Sequence, residues 1–171
     1  KLDDVRKGDV NRLLTGRLDG WRTAAWMFEQ NPLWGVGHGA YQAEFGDARL
    51  ALTARGVTFF RSQQTPVFGN AHNEYLEVAA ESGLLGLAAL AWGCWGLGLA
   101  LRRLGRPHPE DPPAVAGDRA LALAGVVALA VMAITYFPLR VALTGYPWLL
   151  FLAWVWASAA SRDRAIEGET P

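Results

Sequence analysis

The alternation of polar and apolar positions along this chain changes character near residue 82. Before it, apolar residues are interspersed with charges. In LDGWRTAAWMFEQ, residues 18–30, Trp21, Ala24, Ala25 and Phe28 recur on one helical face, with Asp19 in the capping position. NPLWGVGHG then halts the helix through Asn31, Pro32 and three glycines. Residues 40–69 mix polarity without a sustained period, and GVTFFRSQQTPVFGN predicts an irregular or partly extended loop. NAHNEYLEVAAESGLLGL, from Asn70, predicts a new helix whose polar start runs without a break into an apolar segment. Three apolar runs follow, at 83–101, 120–138 and 143–160. The first two match the roughly 20 residues that cross a bilayer, while the third is slightly short and carries Pro147 near its start. The predicted fold class is an all-α membrane protein. An external helical and irregular loop region, residues 1–82, precedes three transmembrane helices within residues 83–171.

The alternative of a soluble all-α domain would need amphipathic elements to wrap helices that are apolar all round, and the polar first half supplies too few. Basic residues set the orientation. The connection 102–119, RRLGRPHPEDPPAVAGDR, carries Arg102, Arg103, Arg106 and Arg119, and the tail carries Arg162 and Arg164, whereas the short loop at 137–145 has Arg140 alone. The linker and the tail are therefore expected on the cytoplasmic face of a bacterial inner membrane. Residues 1–82 and the loop at 137–145 are expected on the periplasmic or external face. The chain opens KLDDVRKGD, without Met or an apolar leader, so it is expected to be a fragment of a larger polytopic bundle whose N-terminal spans are missing.

Sixteen basic and sixteen acidic residues cancel, so no overall field points to nucleic acid. Cys94 stands alone inside the first apolar run, which leaves the external region without a disulfide. Gly35, Gly37 and Ala40 satisfy a loose dinucleotide fingerprint but follow a helix and a proline rather than a strand. His38, His72 and His108 lack Cys or carboxylates at ligand spacing, and His108 falls on the other side of the membrane, so no metal is expected. Ser62 and Ser82 have no His and acid in a local triad pattern. His72 stands at the start of a helix just outside the membrane, where a neutral imidazole beside a bound anion would serve as a general base. Capping without chemistry is the other reading of the same residue.

The pattern His72-Asn73, nine residues, Gly83, two residues, Gly86 resembles the H-[NSQ]-x9-G-x-x-[GTY] signature of the bacterial O-antigen ligases. GRLDGWRTAAWMFEQNPLWGVGHGAY is similar to the Arg, Trp and N-P-L-x-G-x-G block of the broader O-antigen ligase and polymerase family, and FPLR at 137–140 to its late external loop. The resemblance implies a membrane glycosyltransferase that moves glycan from an undecaprenyl diphosphate carrier to an acceptor sugar hydroxyl, with no cofactor and no metal. Polymerase or protein O-oligosaccharyltransferase activity of the same family, or a non-catalytic glycan- or partner-binding membrane module, are the alternatives. The partners it implies are the lipid-linked donor, the glycan acceptor and membrane lipids. The site residues it implies are His72 as base, Asn73 to orient it or cap the helix, and Arg17, Arg61 and Arg140 on the diphosphate.

Overall fold

The computed structural model describes residues 14, 16–60, 68–106, 113–136, 138 and 142–167, and among them every regular element is an α-helix. We label these α1 (Arg17–Gln30), α2 (Tyr41–Ala54), α3 (Glu74–Leu104), α4 (Pro113–Thr135) and α5 (Ala142–Glu167). The described residues form two compact units. One holds those up to Ala89 together with Ile134–Tyr136, and the other holds the remainder.

In the first unit, α1 buries Gly20, Thr23, Ala24 and Met27, a single stripe at helical spacing. It ends at Asn31, because the residue before a proline is pushed out of helical geometry. Asp19 is not its cap: Gly16 holds the cap position without a side-chain bond, and Asp19 lies buried in the first turn. The expected irregular loop over 40–69 is corrected between Tyr41 and Ala54, which form α2. Tyr41, Phe45 and Ala48 of α2 fall at i, i+4 and i+7 and pack with Ala24, Met27 and Ala80 in one core.

The helix expected from Asn70 begins four residues later, at Glu74, with the Asn73 Oδ1 accepting the Leu76 N–H at 3.0 Å as an N-cap. Nor does it run unbroken into the apolar segment. Gly83, at φ 60° and ψ −151°, interrupts it. The turn after α1 fills the gap with backbone bonds: Val36 N–H to Ala80 O (2.8 Å), Gly37 N–H to Glu81 O (3.0 Å), Leu84 N–H to Pro32 O (2.8 Å) and Leu85 N–H to Leu33 O (3.4 Å). Donors and acceptors that a helix break would otherwise orphan are thus satisfied by a segment nearly fifty residues upstream. The crossing is close. A Cβ at Gly83 would stand 2.6 Å from the Leu33 carbonyl carbon and oxygen, and one at Gly35 would run into the Glu81 and Ser82 backbone.

In the second unit, Ala100 and Leu104 of α3, Ala122 of α4, and Val155 and Ala159 of α5 form the core. Gly125 lies directly beneath the Phe151 ring, so that small residues let aromatic ones pack over them. Among the described residues two helices, Glu74–Leu104 and Val115–Ile134, are long and apolar enough to cross a membrane. The third expected span falls within α5, which has 26 residues and contains Pro147.

Candidate functional site

His72 sits one residue ahead of the Asn73 cap, outside the first turn of α3. Its backbone has φ 54°, the only positive value at a non-glycine among the described residues, and costs about 1–2 kcal/mol for a side chain with a Cβ. Something must hold it there, and Glu77 does. That carboxyl group, fully buried, accepts the Ala71 N–H on one oxygen (2.9 Å) and the Asn70 Nδ2 on the other (2.8 Å). On the other side of His72, Asn73 is tied to α3 by its side-chain cap and by the Glu77 N–H donating to its carbonyl at 3.0 Å. Both neighbours of His72 are therefore anchored to the same helical turn.

The imidazole is half-buried and stands edge-on to the Phe68 ring, centroids 5.9 Å apart, and Phe68 in turn packs on Phe45. Burial lowers the His72 pKa from its ordinary value near 6.5, the positive charge of Arg17 lowers it further, and Glu77 opposes both. The imidazole is thereby kept neutral near pH 7, with a lone pair able to accept a proton. Burial and the charge of Arg17 are causes that the sequence alone did not reveal. Arg17, the first residue of α1, is partly buried and near enough to His72 for its charge to be felt, so the structure brings these two expected site residues together. Arg61 and Arg140 lie outside the described residues.

With Glu77, two further acidic side chains, Asp19 and Glu81, form the support of this site, and sequence reasoning missed their role. Asp19 Oδ2 accepts the Phe60 N–H at 2.8 Å, Glu77 accepts that of Ala71, and Glu81 Oε1 accepts that of Tyr41 at 3.1 Å; all three are at most 2% exposed. Each fixes a loop or a helix start by its main chain, so the polypeptide around His72 is held without depending on exposed side chains. Glu81 places a carboxyl group at the first turn of α2, where the helix dipole favours it, and His38 Nδ1 comes within 3.7 Å of its other oxygen. Tyr41 completes the frame. Its hydroxyl donates to Gly20 O at 2.9 Å and meets Thr23 Oγ1 at 2.8 Å, and burial pushes the phenol well above its usual pKa, so it remains a neutral donor. The signal for the acids was present: Asn73, Glu77 and Glu81 recur every four residues and so form one stripe along α3. Among the described residues, no three His, Cys, Asp or Glu side chains gather as a metal-ligand set would.

The region so assembled coincides with the part of the chain that is similar to known sequences. A family model described as O-antigen ligase matches residues 2–91, just over half of the chain and all of the elements that surround His72. Comparison with curated proteins and with solved structures gave no match. With the N-P-L-x-G-x-G turn spliced into the break at Gly83 and the anchored His72 both inside the matched segment, the chain belongs to the O-antigen ligase family of membrane glycosyltransferase-type proteins.

Proposed function

We propose that this chain carries the acceptor-activating site of a metal-independent glycan transfer from a polyprenyl diphosphate carrier, with His72 as general base and Arg17 on the diphosphate. In the step, the acceptor hydroxyl loses its proton to an imidazole nitrogen of His72 as its oxygen bonds to the anomeric carbon. The bond from that carbon to the diphosphate oxygen breaks, and polyprenyl diphosphate leaves with the electron pair. Negative charge grows on the leaving group in the transition state, where a guanidinium can hold two phosphate oxygens in parallel. The observation that carries the reading is the pairing of Arg17 with a neutral, backbone-anchored His72.

The reading includes a topology. Residues 1–82 face the periplasm, α3, α4 and α5 each cross the membrane, and the Arg-rich linker and tail face the cytoplasm, in keeping with the distribution of basic residues. Further spans from the same polypeptide complete the site, so activity is expected of the full-length protein.

Transfer from purified lipid-linked glycan in liposomes, with EDTA present, tests it. His72→Gln keeps size and one hydrogen bond but is a far weaker base, and should lower transfer about 10²- to 10⁴-fold with donor binding little changed. Full activity in that variant would remove the general-base role and favour a binding module, and loss of parental activity with EDTA would remove the metal-free step.

A further inference from the structure

Among the described residues of the first unit, the most exposed aromatic side chain is Trp34, 71% exposed, in the turn that fills the break in α3. Leu33 beside it is 49% exposed, and Leu84 and Leu85, just past the break on α3, are exposed as well. Backbone bonds fix how these residues stand. The Pro32 and Leu33 carbonyls accept from the Leu84 and Leu85 N–H groups, whereas Val36 and Gly37, further along the turn, donate back to the Ala80 and Glu81 carbonyls. Followed in the direction of α3, the turn therefore runs past Gly83 to the level of Leu84 and Leu85 and then returns to the level of Ala80 and Glu81. Leu33 and Trp34 occupy its far end.

Charge ends at that same level in both segments. On α3 the acids Glu74, Glu77 and Glu81 are followed by no charged residue from Ser82 to Leu101. The turn likewise carries none from Gln30 to Gly37, between Glu29 of α1 and His38, whose Nδ1 lies 3.7 Å from Glu81. Two stretches distant in sequence thus change from charged to apolar side by side, where main-chain bonds join them. The exposed patch they share continues into the part of α3 that is long and apolar enough to cross a membrane. A bilayer surface is the partner that fits. An indole offers a broad apolar ring with one N–H, the combination favoured where hydrocarbon meets headgroups. The bonds across the break also satisfy main-chain groups that would be costly to bring to that depth unpaired.

We propose that the turn at 32–37 is seated in the lipid headgroup layer, with Leu33 and Trp34 at the edge of the hydrocarbon, so that the bilayer surface lies at the level of Gly83. The inference rests on the membrane-spanning reading of α3 and departs from it in one respect: residues 1–82 are not wholly outside the membrane. It also sets the height of the transfer site. Nine steps from Glu74 to Gly83, at about 1.5 Å each, hold the start of α3, and His72 just ahead of it, to roughly 14 Å or a little more from the hydrocarbon edge.

The test uses the full-length protein, with its own cysteines replaced, in liposomes of phosphatidylcholine and phosphatidylglycerol. A nitroxide is attached at Leu33→Cys, Trp34→Cys, Ala89→Cys or Gly69→Cys, one position at a time. Its relaxation by oxygen, which concentrates in hydrocarbon, is compared with its relaxation by a water-soluble nickel chelate. Ala89, exposed and six steps of α3 beyond Gly83, should read about 9 Å inside the hydrocarbon. Gly69, exposed and ahead of α3, should read as water. The labels at Leu33 and Trp34 should lose most of the nickel relaxation seen at Gly69 and gain less oxygen relaxation than Ala89. Leu33→Cys keeps the indole, so it reports on the turn with Trp34 in place. Nickel relaxation at both turn positions equal to that at Gly69, with Ala89 still deep, would overturn the anchor and leave the span standing. Labels at both that neither reagent reaches would show a protein segment over the turn and overturn lipid as its partner. Ala89 as open to nickel as Gly69 would remove the membrane-spanning reading of α3 and this inference with it.

Discussion

Replacing Gly83 by alanine adds one methyl group at the point where α3 breaks. Two costs arise together. The backbone at φ 60° and ψ −151° lies in a region open essentially to glycine, which costs about 1–3 kcal/mol for any other residue. The new Cβ would also stand 2.6 Å from the Leu33 carbonyl carbon and oxygen and 2.7 Å from Gly35 N, all main-chain atoms that no rotamer change can move aside. Relief requires the turn at 32–37 to withdraw, which gives up four backbone bonds between the turn and α3 at about 1 kcal/mol each. Strain retained and bonds lost are alternatives in part, so the expected destabilisation is about 3–6 kcal/mol, a large share of a typical folding free energy. Gly93 provides the control, since it lies in the interior of the same helix with nothing within 4 Å of a built Cβ. Gly93→Ala should be neutral or stabilising by up to about 1 kcal/mol. Thermal unfolding of both full-length variants in detergent, with limited proteolysis of the 31–37 turn, reads the difference. A Gly83→Ala protein that unfolds within about 2 °C of the parent and keeps the turn protected would refute the splice.

Arg17→Ala should reduce transfer, with Arg17→Lys only partly restoring it because an ammonium lacks the forked contact. Removing the Arg17 charge should also move the acid limb of the pH profile: with His72 as the base, the parent's limb should lie below 6.5, since the His72 pKa is lowered, and it should rise in Arg17→Ala. Glu77→Gln should move it the other way, since the charge that opposes the lowering is gone, and two limbs moving in the same direction would contradict the arrangement. Glu77→Ala leaves the Ala71 N–H and the Asn70 amide without their acceptor and should cost about 2–4 kcal/mol in unfolding measurements. In a Cys94→Ala background, a membrane-impermeant thiol reagent added outside should label Ser62→Cys and not Gly117→Cys; the reverse result would invert the proposed topology.

Much of the local structure around the site was legible in the sequence because it rests on short-range rules. The helix α1 and its stop before Pro32, the Asn73 cap and the apolar runs within α3 and α4 all follow from neighbours a few residues apart, whereas the face that α1 buries does not: of the expected Trp21, Ala24, Ala25 and Phe28 only Ala24 is buried, beside Gly20, Thr23 and Met27. What escaped depends on distant partners. Asp19, Glu77 and Glu81 are residue types ordinarily exposed, and the burial of Asp19 and Glu81 is balanced by N–H groups 41 and 40 residues away. The break in α3 escaped for the same reason: a glycine in an apolar run signals no interruption until the turn that fills it is known. The α2 helix was a different failure. Its spacing Tyr41, Phe45, Ala48 was visible, but the mixed polarity of residues 40–69 pointed to a loop. Of the site itself, the sequence suggested His72 and Arg17, while the physical cause of a neutral imidazole became visible only with its burial.

The splice at Gly83 joins the turn at 32–37 to α3 through main-chain groups alone, and this determines which changes the region can absorb. The exposed side chains of Leu33 and Trp34 take no part in those four bonds, so their identities can vary without disturbing the seam, whereas Val36 packs against the core of the first unit. Spacing cannot vary in the same way. Inserting or deleting one residue between Pro32 and Gly37 would offset the donors on one side from the acceptors on the other, and would bring a residue with a Cβ to the crossing now held by Gly35 and Gly83. The segment should therefore tolerate substitution at Leu33 and Trp34 and resist any change of length, unlike an ordinary surface loop.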